Sequence, residues 1–252
     1  MSSPAPLVVH EFGDAQDPPL VLVHGLTEAG TTWPDAVQRW SADWHLLAVD
    51  LRGHGRSPRF TDDELPHVLD TWLADLDALV RSMPSRPVLI GHSLGALLAV
   101  TQALTHPDTV RAVVLEDPPL LPSETERDPA FADEQEAFLD RFAGGPEREA
   151  ARMRHESSWS PEEIDAWAEC KPLVDRRMIR AMRIDGDDWD AAFDRLAVPT
   201  LLVVPESGGT TVPGTTNPLV RVARIPRVGH CVRRDDPAAF HAVVDPFLAA
   251  QA

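Results

Sequence analysis

The strongest constraint on the fold is an alternation of short apolar runs with longer amphipathic segments along most of the chain. The runs LVLVHG, HLLAVD, PVLIG and VRAVVLED have the length of buried strands, and segments of helical length separate them. One such segment, LPHVLDTWLADLDALVRSM, carries apolar residues at the spacing of a helix that faces a core. The pattern predicts an α/β fold with a mostly parallel central sheet flanked by helices.

The alternation stops between residues 118 and 195. This segment is rich in charge and has helical patterns, such as DEQEAFLDRFA and SPEEIDAWAECKPLVDRRMIRAM, but no convincing strand. The strand pattern resumes at PTLLVVP and VRVARIP, and PAAFHAVVDPFLAA predicts a terminal helix. We therefore expect one core domain, formed by residues 1–117 and 196–252, and a helical insertion, residues 118–195, over one end of its sheet.

Composition argues against several classes of partner and site. A net charge of −17 opposes nucleic-acid binding, which depends on clustered basic residues. No stretch approaches the roughly 18 apolar residues of a membrane span, and the N-terminus does not resemble a signal peptide, so we expect a cytoplasmic protein without a membrane partner. Cys170 and Cys231 are interpreted as free thiols, although a disulfide between them stays open. No motif indicates a metal or a cofactor.

The segment GHSLGA, which runs from Gly91 to Ala96, fits the pattern Gly-x-Ser-x-Gly with Ser93 at its centre. It lies between the predicted strand PVLIG and the apolar helical segment LGALLAVTQALTH. A sharp turn from strand to helix needs small residues at Gly91 and Gly95, and it would hold the Ser93 hydroxyl above the carboxyl edge of the sheet. This context favours a nucleophilic serine over a serine that only caps the helix.

Two other loops predict a general base and an oxyanion site. His230, in VGHCVRRDDP, follows the last predicted strand, where a neutral imidazole could take the proton from Ser93 and pass it to the leaving group. In LVLVHGLTEAGTTW, Gly25 would let the loop turn back over the serine. The backbone N–H groups of Leu26 and Leu94 are then expected to stabilise a developing oxyanion.

The order of these motifs resembles the α/β-hydrolase superfamily, and the resemblance covers nearly the whole chain. HGLT comes first, followed by DLRGHGRS, GHSLGA, a helical insertion and a late GH before the terminal helix. The resemblance implies a serine hydrolase in which the insertion is a cap domain, but reactions differ widely within this fold. DLRGHGRS matches a segment that is mostly structural in the family, so Asp50, Arg52 and His54 are interpreted as scaffold.

The resemblance also implies a carboxylate that orients the histidine. In the family this acid usually follows the strand after the cap, but Gly208 stands at that place when the chain is aligned on LLVV. Some members carry the acid at the end of the preceding strand, where this chain has Asp117 in VRAVVLEDPP. Strand alternation points Glu116 to the opposite face. We expect Asp117 to be the acid, with Glu206 as the alternative.

These residues predict the hydrolysis of a carboxylic ester or lactone through an acyl-enzyme on Ser93. A serine nucleophile argues against the dehalogenase and epoxide-hydrolase branches, which attack with aspartate, and the chain has no tyrosine to act as the epoxide donor. Aromatic and methionine side chains of the insertion could line a pocket, although their spacing favours the insertion's own core. We expect an uncharged, partly hydrophobic small-molecule substrate. The alternatives are a thioester or carbon–carbon bond hydrolase, and a non-catalytic protein that binds a small ligand.

Overall fold

A computed structural model describes residues 6–122, 130–184 and 186–252. Seven of their segments are strands: β1 (Val8–Phe12), β2 (Pro19–Val23), β3 (His45–Asp50), β4 (Val88–His92), β5 (Ala112–Glu116), β6 (Thr200–Pro205) and β7 (Val220–Ile225). They form one sheet in the order β1-β3-β2-β4-β5-β6-β7. β1 pairs antiparallel with β3, and all other neighbouring strands pair in parallel. The predicted mostly parallel sheet is confirmed.

Helices cover both faces of this sheet, as the fully buried strand β2 illustrates. Leu20 and Leu22 pack in one apolar cluster with the helices at 34–40 and 237–249, whereas Val21 and Val23 pack in another with the helices at 68–81 and 94–105. Both faces of the strand are thus apolar because both are covered. The helices of the core are α1 (Pro34–Trp40), α2 (Val68–Arg81, preceded by a 3-10 turn at Leu65–His67), α3 (Leu94–Thr105), α9 (Val232–Asp235) and α10 (Pro237–Ala249).

Five further helices, here called the helical insertion, lie between β5 and β6 in the described part of the sequence. They are α4 (Phe131–Asp140), α5 (Pro146–Glu156), α6 (Pro161–Cys170), α7 (Arg176–Ala181) and α8 (Trp189–Asp194). The helical pattern over 160–182 is broken after α6 by a 3-10 turn at Lys171–Leu173. Pro172 in this turn has no N–H with which to continue the helix. The Asp175 side chain then caps α7 by accepting from the Arg177 N–H.

The insertion contacts loops that follow the carboxyl ends of the parallel strands. Lys171 Nζ donates to the carbonyl of Thr27, after β2, at 3.0 Å. Trp159 Nε1 donates to Asp235 Oδ1, after β7, at 2.7 Å. Because parallel strands end at one edge of the sheet, the insertion lies beside the edge at which the sequence motifs converge.

Cys170 and Cys231 are both free thiols, and Cys170 is buried. The helices that the structure describes include none that combines the length and the apolar character of a membrane span. Within the same residues no group of three or more His, Cys, Asp and Glu side chains could hold a metal ion. Residues 1–5 of the expected core domain, and residues 123–129 and 185 of the expected insertion, lie outside the described residues.

Candidate active site

Ser93 lies in a strained, tightly packed turn between β4 and α3. Its backbone has φ of +51° and ψ of −117°, a conformation that is costly for a residue with a side chain. A Cβ on Gly91 would lie 2.3 Å from the carbonyl carbon of Gly95, and one on Gly95 would lie 2.0 Å from the Val23 carbonyl oxygen. The Ser93 N–H donates to the carbonyl of Glu116 at 2.8 Å. Both glycines are therefore required by close backbone contacts, as expected for a turn that presents a nucleophile.

His230 and Asp117 form a direct hydrogen bond. His230 lies between β7 and α9, and its Nδ1 atom is 2.6 Å from Asp117 Oδ2. Asp117 directly follows β5, where a φ of +40° ends the extended backbone. Its side chain is 5% exposed, whereas that of His230 is 54% exposed. Because the carboxylate accepts the Nδ1 proton, this bond leaves Nε2 of the neutral ring available as a base.

The loop after β6 supplies a second donor to the same carboxylate. The backbone N–H of Thr210 donates to Asp117 Oδ1 at 2.8 Å. A Cβ on Gly209 would lie 2.8 Å from that oxygen and 2.6 Å from Cδ of Pro205. Burial alone would raise the pKa of Asp117, but the hydrogen bonds from His230 and Thr210 outweigh it and lower the pKa below its ordinary value. The carboxylate is held ionised.

Gly208 stands at the usual position of the acid, and Glu206 is the alternative acid, but neither contacts His230 as Asp117 does. Gly208 has a φ of +77°, and a Cβ there would meet no atom within 4 Å. Glu206 is exposed, and its carboxylate forms no hydrogen bond or ion pair with any residue of the described ranges. Of the two carboxylates weighed from the sequence, the structure brings Asp117 to His230 and leaves Glu206 in solvent.

His92 connects the serine turn with the histidine loop. The centre of its ring lies 4.9 Å from that of His230, and its Nε2 donates to the His230 carbonyl at 3.2 Å. The hydroxyl of Ser93 forms no hydrogen bond with any residue that the structure describes, so the expected link between Ser93 and His230 is not closed. Such bonds often tighten only when substrate binds.

The Leu26 and Leu94 amides, which are expected to form the oxyanion site, belong to two segments close to Ser93. A Cβ on Gly25 would lie 3.3 Å from Ser93 Cβ and 2.8 Å from His92 Nδ1, so the loop that carries Leu26 passes close to the serine turn. Leu94 is the first residue of α3, where a backbone N–H has no acceptor within the helix. Neither amide has an acceptor among the residues described, and both are available to an anion.

His24 and Asp50 brace the loops around the site. The His24 ring is fully buried, its Nε2 accepts from the Leu51 N–H at 3.0 Å, and its Nδ1 donates to the Gly25 carbonyl at 2.8 Å. Burial lowers the pKa of His24 and favours the neutral ring that these two bonds require. Asp50 Oδ1 accepts from the Gly30 N–H at 2.7 Å. The Asp50 contact agrees with the interpretation of Asp50 as scaffold.

Aromatic residues of the insertion pack mainly on one another. The Phe142 and Trp167 rings have centres 5.2 Å apart, Phe138 lies 5.4 Å from Phe142, and Trp159 lies 6.0 Å from Trp167. Met182 instead joins the apolar cluster of the core domain. Most of the aromatic side chains that the sequence offered for a pocket therefore form a small core within the insertion.

Sequence reasoning missed two parts of this arrangement. Thr210 contacts Asp117 through its backbone, so no side-chain pattern reveals it. The adjacent Arg233 and Arg234 are buried, at 6% and 1% exposure. Two adjacent arginines between His230 and the terminal helix could have indicated a buried ion-pair network, because buried arginines need nearby carboxylates.

Comparison with known proteins agrees with the motifs and the fold. The sequence model of the alpha/beta hydrolase family matches residues 20–243. The 2-(acetamidomethylene)succinate hydrolase of Mesorhizobium japonicum is 31% identical over 216 residues, which span 80% of this chain and 74% of that protein. The pimeloyl-[acyl-carrier protein] methyl ester esterase of Aeromonas salmonicida is 39% identical over 108 residues, 42% of this chain and 39% of that protein. The first four curated relatives are matched over only 29–40% of their length.

A solved structure gives the same answer for the fold. The crystal structure of a putative aryl esterase from Burkholderia cenocepacia superimposes with a TM-score of 0.75 and 22% identity, covering 97% of this chain and 94% of the other. At this identity the likeness shows the fold alone. The match to the family model extends over most of the chain, from β2 to α10. The chain belongs to the α/β-hydrolase family.

Proposed function

We propose that the protein is a serine hydrolase that cleaves a carboxylic ester or lactone of an uncharged, partly hydrophobic small molecule through an acyl-enzyme on Ser93. The observation that carries this proposal is the 2.6 Å hydrogen bond between His230 Nδ1 and Asp117 Oδ2, beside a strained serine turn. In this proposal residues 1–117 and 196–252 form a core domain that carries the reacting groups, and residues 118–195 form a cap.

In the first half of the reaction, Ser93 Oγ attacks the carbonyl carbon of the substrate while His230 Nε2 takes the hydroxyl proton. Asp117 accepts the hydrogen bond from Nδ1 and stabilises the imidazolium that forms. The carbonyl oxygen becomes an oxyanion, which the N–H groups of Leu26 and Leu94 stabilise. When this intermediate collapses, the leaving alkoxide takes the proton from His230 Nε2, and an acyl ester on Ser93 remains.

In the second half, His230 removes a proton from a water molecule, which attacks the acyl ester. The same amides hold the second oxyanion, and collapse returns the proton to Ser93 as the carboxylic acid product leaves. With a lactone the alcohol stays attached to the acyl group, so one hydroxy acid is released. The chemistry needs only groups of this chain and water.

The surroundings support a substrate with an apolar portion. Leu94 belongs to an apolar cluster to which the insertion contributes Met178, Ile179 and Met182. The net charge of −17 disfavours an anionic substrate. One relative supports ester cleavage through its name, a methyl ester esterase. Another is named for a succinate derivative, so substrate charge must be tested directly.

Labelling with a fluorophosphonate tests the proposed nucleophile. We expect one label per chain, attached to Ser93, and no label on the Ser93→Ala variant. Absence of labelling on the folded wild-type protein would overturn the hydrolase proposal and favour the non-catalytic ligand-binding alternative.

A panel of chromogenic substrates tests the proposed substrate class. The panel pairs uncharged esters and lactones of increasing size with a carboxylate-bearing ester and a thioester of matched acyl length. We expect the highest kcat/KM with an uncharged ester or lactone that has an apolar acyl group. A higher kcat/KM with the carboxylate-bearing ester or with the thioester would contradict the substrate assignment.

A further inference from the structure

A network of buried charged side chains lies directly behind the proposed site. Every member from the core domain is at most 6% exposed and stands within four residues of Leu26, Ser93, Asp117 or His230. The members are Glu28, His92, Glu116, Arg233 and Arg234. The network therefore reaches all four chain segments on which the reaction is proposed to depend.

The contacts within this network join the four segments to one another. The Arg233 N–H donates to Glu116 Oε1 at 2.7 Å, which connects the start of α9 with the end of β5. Arg234 Nη1 donates to Glu28, which lies on the loop that carries Leu26. Glu28 Oε2 lies 3.5 Å from Nδ1 of His92, the residue before Ser93. Displacement of α9 would consequently disturb each of the other segments.

Glu163 is the contribution of the helical insertion to this network. It lies on α6, is 1% exposed, and its Oε2 accepts from Arg233 Nη1 at 2.9 Å and from Arg234 Nε at 2.7 Å. The Arg234 guanidinium also stacks on the ring of Trp159 of the insertion, 4.9 Å from its centre. One carboxylate oxygen of the insertion thus bridges Arg233 and Arg234, which stand three and four residues after His230.

The carboxylates and the cations of this network are nearly equal in number. Burial would raise the pKa of Glu163, but Arg233 and Arg234 outweigh it and lower the pKa, so Glu163 is ionised. Burial would lower the pKa of His92, but the charge of Glu116 and bonds to neighbouring groups raise it to about 10, so this ring is a cation at neutral pH. Lys171 adds a positive charge close to Glu28. The carboxylates Glu28, Glu116 and Glu163 therefore face the cations Arg233, Arg234, His92 and Lys171.

Removing the charge of Glu163 would leave two adjacent buried guanidinium groups with one carboxylate fewer. Buried charges that lose a partner are strongly unfavourable, so α9 would shift to let water or another carboxylate reach them. Only Cys231 separates His230 from this helix, and the Gly229 N–H donates to Asp235 Oδ2 of the helix at 2.7 Å. A shift of α9 would accordingly move His230 relative to Ser93.

We infer that Glu163 is a positioning residue that sets the place of His230 through Arg233 and Arg234. The inference rests on the proposed function of Ser93 and His230. Glu163 itself touches neither the substrate nor the reacting atoms. The insertion would then be part of the catalytic geometry as well as a cover over the site.

The test compares Glu163→Gln with Glu162→Gln, since Glu162 is the exposed neighbour on the same helix. Fluorophosphonate labelling of Ser93 is followed at several reagent concentrations, which separates the binding constant from the rate constant of bond formation. We expect Glu163→Gln to lower the rate constant about ten-fold with little change in binding, because small misplacements of catalytic groups are costly. Glu162→Gln should react like the wild type.

Glu163→Asp keeps the charge at a shorter reach and should recover part of the lost rate constant. A folded Glu163→Gln variant with the wild-type rate constant would overturn the inference, as would one in which only the binding constant changes. Should Glu163→Gln not fold, Glu163→Asp decides: a reduced rate constant supports the inference and a wild-type value overturns it. Failure of the proposed function is distinguishable, because the wild-type protein would then not be labelled.

Discussion

β5 and β6 are neighbours that end at one edge of the sheet, yet the segments that follow them contribute different groups to the site. The segment after β5 contributes an acceptor, and the segment after β6 contributes a donor. After β5 the chain places the Asp117 carboxylate on His230. After β6 it places the Thr210 N–H on that carboxylate. The loop after β6, where the family resemblance places the usual acid, instead donates a hydrogen bond to Asp117.

The proposed acid is therefore recognised by its geometry around the histidine rather than by its place along the chain. Glu206 is close to the expected position in sequence, but its side chain is exposed and its carboxylate has no hydrogen bond or ion pair with the described residues. Asp117 follows the neighbouring strand, is almost fully buried and has two donors. Three sets of substitutions and one pH dependence test this contrast between the two loops.

Asp117→Asn against Glu206→Gln gives the largest contrast. Loss of the acceptor leaves the His230 tautomer and its charge unsupported, so we expect kcat/KM for a chromogenic short-chain ester to fall by about 10³- to 10⁴-fold. Glu206→Gln should stay within about two-fold of wild type, as for surface substitutions away from the site. Near wild-type activity of Asp117→Asn would remove the acid assignment.

Gly208→Asp in the Asp117→Asn background tests whether a carboxylate at the family's usual acid position can support His230. A Cβ at Gly208 meets no atom within 4 Å, and aspartate tolerates positive φ better than most residues. We expect a partial recovery of kcat/KM, about ten-fold over Asp117→Asn alone, because a nearby carboxylate favours the imidazolium. Gly208→Asn in the same background is the control, and equal recovery by it would show that charge is not responsible.

Gly209→Ala tests the loop as a support for the acid. The new methyl group would lie 2.8 Å from Asp117 Oδ1 and 2.6 Å from Pro205 Cδ, so the loop must move away from the carboxylate. We expect kcat to fall about ten-fold, by the same sensitivity to small displacements. Gly208→Ala, at an open position with positive φ, should lower the free energy of unfolding by about 1 kcal/mol and leave kcat unchanged. The opposite pattern would contradict the proposed role of the loop.

The pH dependence of stability gives the smallest effect. Because the folded-state pKa of Asp117 lies below its ordinary value of 3.8, the ionised carboxylate stabilises the fold above that pH, and this contribution is lost as the pH falls through the lower folded-state pKa. The difference in unfolding free energy between wild type and Asp117→Asn, measured in urea, should therefore shrink as the pH is lowered through this range. A difference that grows on acidification would have the wrong sign.

Much of the fold could be predicted because its signals are local and periodic. The apolar runs that became β2 to β6, and the helical spacing of α2, follow from burial on sheet faces that helices cover. The break after α6 depends on one proline and a cap, and the four-residue helix α9 is too short for a periodic pattern to reveal.

The candidate site was predictable where a side chain carries the chemistry and obscure where the backbone or a distant partner does. Ser93, His230 and Asp117 follow from motif, order and alignment. The Thr210 contact with Asp117 depends on how two loops meet, and the contacts of Glu163 with Arg233 and Arg234 join residues that are about 70 positions apart. Such pairings come from tertiary structure, and one sequence contains no direct signal for them.

Proton NMR of the resting protein can observe the proton between His230 Nδ1 and its carboxylate directly. A proton in a short bond to a buried carboxylate resonates far downfield. We predict such a resonance in the wild type and in Glu206→Gln, and its loss in Asp117→Asn. A resonance that survives Asp117→Asn and disappears in Glu206→Gln would show that the acid orienting His230 follows β6 instead.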